Sequence, residues 1–141
     1  MLLSENRKKD SLQSFGVDTS TFYAIIIQDT YQFYWDTPFR QILTKLKSYQ
    51  EKFWDDIDRR NKLQSKHLTD IEAYTLASIV DEETNVISDK YKIASVYINR
   101  LAKEMPLQAC PTIKFAMNDF TITRIYEKYL SNPSPYNTYR K

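Results

Sequence analysis

Apolar side chains at Phe39, Ile42, Leu43, Leu46, Tyr49, Phe53, Trp54 and Ile57 recur at steps of three and four, the spacing of one face of an α-helix. Thr37 followed by Pro38 supplies a start, with Thr as N-cap and Pro in the first turn, so the pattern predicts a helix over 38–62. Upstream the rhythm changes. Tyr23 to Ile27 is a short β-prone run, and Tyr31, Phe33 and Trp35 alternate with more polar neighbours, which predicts short strands before Asp36. Downstream, Thr69-Asp70-Ile71-Glu72 has the form of a capping box and starts a helix over 70–84. Ser88 as N-cap, with Ile93, Ala94, Tyr97, Ile98 and Leu101 on one face, predicts a further helix over 89–103, packed on the preceding one. Pro106 and Pro111 then make residues 105–112 a loop. The expected fold class is α+β, mostly helical with short N-terminal strands.

The capping box fixes the phase of the helix over 70–84, and that phase separates three consecutive acids. With Leu76 as zero, Ile79, Val80 and Glu83 fall at about −60°, +40° and −20°, whereas Asp81 and Glu82 fall at about +140° and −120°. Glu83 therefore projects from the apolar face while its neighbours turn to solvent. A carboxylate there is costly when ionised, so it is protonated, paired or placed in a cleft. One reading has Glu83 at a helix end with its stem on the core and its head in water. The other makes it a general acid able to hand a proton to a leaving oxygen.

Composition narrows the rest. The chain has 141 residues, 42% hydrophobic and 27% charged, enough for one globular domain, with residues 1–22 as a polar N-terminal segment opening on the patch ENRKKD and residues 23–141 as the folded part. A net charge of +2 does not imply a nucleic-acid partner. The basic residues Arg59, Arg60, Lys62 and Lys66 are interrupted by Asp55, Asp56 and Asp58, a mixed-charge face more than a phosphate site. One Cys and one His leave no Cys/His zinc site and no internal disulfide, and no Gly-rich phosphate loop is present, so neither metal nor cofactor is expected. The longest apolar run, Phe22 to Ile27, is far shorter than a membrane span and no signal peptide is visible, so any membrane tether would lie upstream. A single glycine, Gly16, points to few sharp glycine turns.

The segment LTDIEAYTLASIVDEET, followed by KIASVYINRLAKEMPLQACPTIKFA and then SPYNTY, closely resembles the catalytic domain of the endolytic murein transglycosylases, the MltG or YceG-like family. DTYQFYWDTP and KFWDD are similar to its Bacteroidetes-type members, and the resemblance runs from about Tyr23 to Lys141. It implies an enzyme that cleaves the bond between N-acetylmuramic acid and N-acetylglucosamine in peptidoglycan and leaves 1,6-anhydro ends. The family's essential Glu, followed by Thr, matches Glu83 with Thr84, the same carboxylate that the helical phase selects. The resemblance also implies an inner-membrane protein with its catalytic domain facing the periplasm, glycan strands as substrate and cell-wall synthases as further partners.

Around Glu83, the residues suited to sugar hydroxyls, N-acetyl groups and ring faces are Thr84, Asn99, Gln108, Thr112, Tyr136, Asn137, Thr138 and Tyr139. Arg100, beside Asn99, either orients the site or lies at a surface helix end. Two positions depart from the family pattern. Cys110 stands where an Asp N-cap precedes Pro-Thr, and Glu104 stands where Gly is common. These departures, with the end of the chain ahead of a Gly- and Pro-rich segment, leave open an alternative: a weak or inactive module that binds glycan or a cell-wall synthesis partner.

Overall fold

The computed structural model describes residues 12–140. The expected polar segment 1–22 lies partly outside them, and the patch ENRKKD wholly so. The described residues fall into two compact units, one ending at Glu72 and the other starting at Ala73.

In the first unit a single 3-10 turn, Phe22–Ile25, is followed by helices α1, Phe39–Trp54, and α2, Ile57–Lys66. Its core is Val17, Ile25, Leu43 and Leu46, with Phe15, Phe22, Ile42 and Ile71 packed around them. Gln50 is buried on the inner side of α1, where its Nε2 donates to Asp70 Oδ2 at 2.5 Å and its Oε1 accepts from Lys47 Nζ at 2.9 Å, so the buried amide is satisfied at both ends.

Helix α3, Asp70–Glu83, runs across the boundary between the units. The second unit continues with α4, Ile87–Ala102, α5, Cys110–Met117, and the single turn α6, Glu127–Leu130, which packs on α5. Leu76, Val80, Tyr97, Ala109 and Ile113 are its buried apolar residues.

The fold is all-helical: no strand forms among the described residues, which corrects the α+β expectation. The run from Tyr23 to Ile27 is apolar because the 3-10 turn buries Ala24 and Ile25, not because it pairs in a sheet. Residues 31–34 form no strand. Tyr31 donates its hydroxyl to the Ile27 carbonyl at 2.5 Å, and Lys45 Nζ caps the Gln32 carbonyl at 2.7 Å. The alternation does not mark a buried face, since Phe33 and Trp35 are both exposed, and it does not supply a second strand.

The helix expected over 38–62 is two helices. Asp56 breaks it, turning to ψ 126° and accepting the Arg59 N–H at 3.0 Å as the N-cap of α2. Thr37 does not cap α1, since its hydroxyl donates to the Tyr34 carbonyl at 2.7 Å and Pro38 takes the N-cap position. Ser88 lies inside α4, whose N-cap is Val86. The capping box holds as read: Thr69 N donates to Glu72 Oε2 at 2.8 Å, and Glu72 N donates to Thr69 Oγ1 at 3.2 Å.

Three helices end on a left-handed residue that is not glycine: His67 at φ 54°, Glu104 at φ 54° and Asn118 at φ 51°. Each closes a Schellman turn. After α4, Met105 N donates to the Arg100 carbonyl at 2.9 Å and Glu104 N to the Leu101 carbonyl at 3.0 Å. These sharp turns are made without glycine.

Candidate active site

The C-terminal turn of α3 separates the three acids as the helical phase requires. Leu76 and Val80 are buried, Glu83 is half-buried, and Asp81 and Glu82 are exposed. Asp81 forms an ion pair with Lys90 of α4. Glu83 receives a different partner: the hydroxyl of buried Tyr97, also on α4, donates to its Oε1 at 2.7 Å. A buried tyrosine needs such an acceptor for its O–H. Burial, then the bond to Glu83 and its charge, pushes the Tyr97 hydroxyl well above the ordinary tyrosine range, so it remains a neutral donor.

Thr84 is half-buried, and its Oγ1 accepts the Val86 N–H at 3.1 Å, shaping the turn between α3 and α4. Asn99 is exposed on α4. One residue later, Arg100 fastens the loop after α4. Its Nη1 donates to the carbonyls of Pro106 at 2.9 Å and Leu107 at 3.0 Å, and to Gln108 Oε1 at 2.9 Å. Gln108 is exposed with its backbone at φ 56°. With Oε1 taken by Arg100, its Nε2 is the end of the amide left to donate outward.

The segment 131–140 closes over this loop. The Thr138 carbonyl accepts the Gln108 N–H at 2.9 Å, and Thr138 Oγ1 accepts the Ala109 N–H at 3.0 Å and lies 2.8 Å from Thr112 Oγ1. Thr112 is buried, with its hydroxyl donating to the Ala109 carbonyl at 2.7 Å. Asn137 is buried too: its Nδ2 donates to the Leu130 and Asn132 carbonyls, and its Oδ1 accepts the Tyr139 N–H. Tyr136 is exposed, its ring edge-on to Phe115 at 4.9 Å.

Tyr139 completes the arrangement. Its hydroxyl lies 3.3 Å from Cys110 Sγ; burial first, then this contact, pushes it up to about 12, with the charge of Glu83 adding to the shift and Arg100 opposing it. Glu83, Tyr97, Cys110, Tyr139 and Arg100 therefore form one electrostatic neighbourhood. Cys110 is the first residue of α5 and not its N-cap; that place belongs to Ala109, which has no capping side chain.

The structure thus joins Gln108, Thr112 and Thr138 through Ala109 in one hydrogen-bonded cluster, sets Tyr139 against Cys110 at the start of α5, and bonds Glu83 to Tyr97. It puts Thr112 and Asn137 inside the framework and leaves Asn99 and Tyr136 on the exposed surface. The sequence placed Tyr97 on an apolar stripe and gave no role to its hydroxyl; a tyrosine in a buried stripe was the available signal.

The sequence profile of the YceG-like family matches residues 2–141. The chain belongs to the YceG-like family. Family relatives include an endolytic murein transglycosylase of Bacillus subtilis, 37% identical over 101 residues, or 72% of this chain and 26% of the relative. An endolytic murein transglycosylase of Streptococcus pneumoniae is 34% identical over 82 residues, covering 55% of this chain and 15% of the relative. A crystal structure of a YceG-like protein from Listeria monocytogenes superposes with a TM-score of 0.70 at 26% identity, over 94% of this chain and 46% of that one. The chain spans about a quarter or less of the length of these two curated relatives.

Proposed function

We propose that this chain carries the catalytic centre of an endolytic lytic transglycosylase acting on peptidoglycan, with Glu83 as its acid and base. The observation that supports this reading is the position of Glu83: half-buried at a helix end, bound through one oxygen by a neutral phenol, while Asp81 is paired with Lys90 and Glu82 faces solvent. The names of the YceG-like relatives point to the same activity.

A hydrolytic glycosidase needs a second carboxyl group for water or for a covalent intermediate. Intramolecular transglycosylation needs one. Protonated Glu83 gives its proton to the oxygen linking N-acetylmuramic acid to N-acetylglucosamine as the bond from C1 to that oxygen breaks. The muramyl 6-hydroxyl then attacks C1, and its proton returns to the Glu83 carboxylate. The products are a 1,6-anhydro end and a free 4-hydroxyl, with no water consumed. Gln108 and Tyr139 border the Glu83 neighbourhood and are the proposed contacts for N-acetyl and hydroxyl groups. Thr84, Thr112, Asn137 and Thr138 hold the loops around them, and the exposed Asn99 and Tyr136 extend the surface available to a longer strand. Location at the inner membrane with this domain in the periplasm, and contact with cell-wall synthases, belong to the same proposal and rest on the family resemblance.

Purified glycan strands test it. Mass spectrometry distinguishes anhydro ends from reducing ends by one water. The unaltered protein should produce anhydro ends, Glu83→Gln should lower their formation by about 10² to 10⁴-fold, and Glu82→Gln should retain most activity. Reducing ends would make the protein a hydrolase; strand binding without cleavage would make it a glycan-binding module.

A further inference from the structure

The bond between Tyr97 and Glu83 has a direction, and the direction has chemical content. A phenol O–H donates to Glu83 Oε1 at 2.7 Å, from a side chain only 7% exposed. Among the described residues no hydrogen bond reaches Glu83 Oε2. We propose that Tyr97 is a positioning residue that reserves Oε1 as an acceptor and so makes Oε2 the oxygen that gives and retakes the catalytic proton. This rests on the transglycosylase reading of Glu83 and deepens it.

The reverse arrangement, a protonated Oε1 donating to the Tyr97 oxygen, would leave the buried Tyr97 O–H without the acceptor it has among the described residues, so a donating Tyr97 favours the acid whose proton is on Oε2. Burial of Tyr97 keeps it protonated, so the selection persists through the pH range of the reaction. The bond also fixes the carboxyl plane, whose terminal torsion is otherwise broad. In the first step the proton leaves Oε2 for the glycosidic oxygen as its bond to C1 breaks. In the second, the proton of the muramyl 6-hydroxyl arrives at Oε2 as that oxygen bonds to C1. Oε1 stays bound to Tyr97 throughout, and no proton is gained or lost over the cycle.

Tyr97→Phe keeps the ring and removes the donor. With purified glycan strands, kcat should fall about tenfold, the value of one oriented hydrogen bond, while KM stays within about twofold. The alkaline limb of the kcat profile should move to higher pH, because a bond that favours the carboxylate over the acid has been lost. A purely structural role for Tyr97 would lower the amount of folded protein without moving that limb. Unchanged kcat and an unmoved limb in folded Tyr97→Phe, with Glu83→Gln inactive, overturn the positioning role alone; anhydro ends from Glu83→Gln overturn the function as well. An independent readout needs no folded Tyr97→Phe. The unaltered protein should show a slowly exchanging, downfield Tyr97 hydroxyl proton by NMR that disappears in Glu83→Ala, and its absence from the unaltered protein overturns the proposal.

Discussion

Thr138 Oγ1 accepts the backbone N–H of Ala109 at 3.0 Å, joining two residues 29 positions apart in the chain. Ala109 is fully buried, so this N–H has no access to water and depends on one side chain. Thr138→Val keeps the shape and removes the acceptor, leaving a buried donor unsatisfied. Urea unfolding should report a loss of about 1 to 3 kcal/mol, with a matching loss of glycan cleavage as the loop ahead of α5 loosens; that loop stops at Ala109, short of the 105–112 expected, because Cys110 and Pro111 already belong to α5. A change below about 0.5 kcal/mol would mean that another group takes over the N–H.

Arg100 makes three contacts from one nitrogen, to Pro106, Leu107 and Gln108. Lysine keeps the charge and loses the planar fork, so Arg100→Lys should destabilise the protein by about 1 to 2 kcal/mol and free the Gln108 amide. KM for glycan strands should rise more than kcat falls. Equal KM values in the two proteins would take Gln108 out of the set of substrate contacts.

Glu104 occupies a left-handed position at the end of α4 and is exposed. Glycine enters that region without the Cβ penalty, so Glu104→Gly should stabilise the protein by about 0.5 to 1 kcal/mol, less the entropy that glycine adds to the unfolded chain. Thermal and urea midpoints should both rise, and activity should stay the same.

Acid should weaken the first unit through two carboxylates. The Thr69 backbone N–H, then its hydroxyl, holds Glu72 below its ordinary value of 4.5, and the Ser20 hydroxyl with the N–H groups of Thr21 and Ser20 lowers Asp18 from 3.8 to about 2. Both folded values lie below the unfolded ones. Their contributions are therefore complete above the unfolded values and disappear as pH falls through the folded values. Both side chains are close to fully exposed, so the effect is small. The urea midpoint should decline from about pH 5 to about pH 2, and Thr69→Ala should remove the Glu72 share of that slope while lowering stability by about 1 kcal/mol at neutral pH.

How much of this was legible in the sequence depended on range. The Thr69–Glu72 box and the phase it sets are local, and they located α3 and singled out Glu83 among three acids. The break at Asp56 was hidden because Phe53, Trp54 and Ile57 keep helical spacing across it. The strand reading of residues 23–35 failed because the apolar run records the burial of Ala24 and Ile25 in a 3-10 turn, the alternating Phe33 and Trp35 are exposed, and a strand also needs a neighbour. The cap at Ser88 failed because a serine five residues ahead of a stripe fits either a cap or a first turn. The bonds from Tyr97 to Glu83 and from Thr138 to Ala109 link residues 14 and 29 apart, and no periodicity encodes them.

The stitching of residues 137–139 onto residues 108–112, the end of the loop and the first turn of α5, also orders events during synthesis. A chain leaving the ribosome presents Glu83 and Tyr97 first, and helix α4 can bring the two together while the later residues are still being added. Thr138, which secures Gln108 and Ala109, and Tyr139, which meets Cys110, emerge last of the groups in the cluster. A nascent chain stalled before residue 134 would therefore hold Glu83 already paired but Gln108 and Ala109 unfastened, so that this part of the fold is completed only with translation of the closing segment.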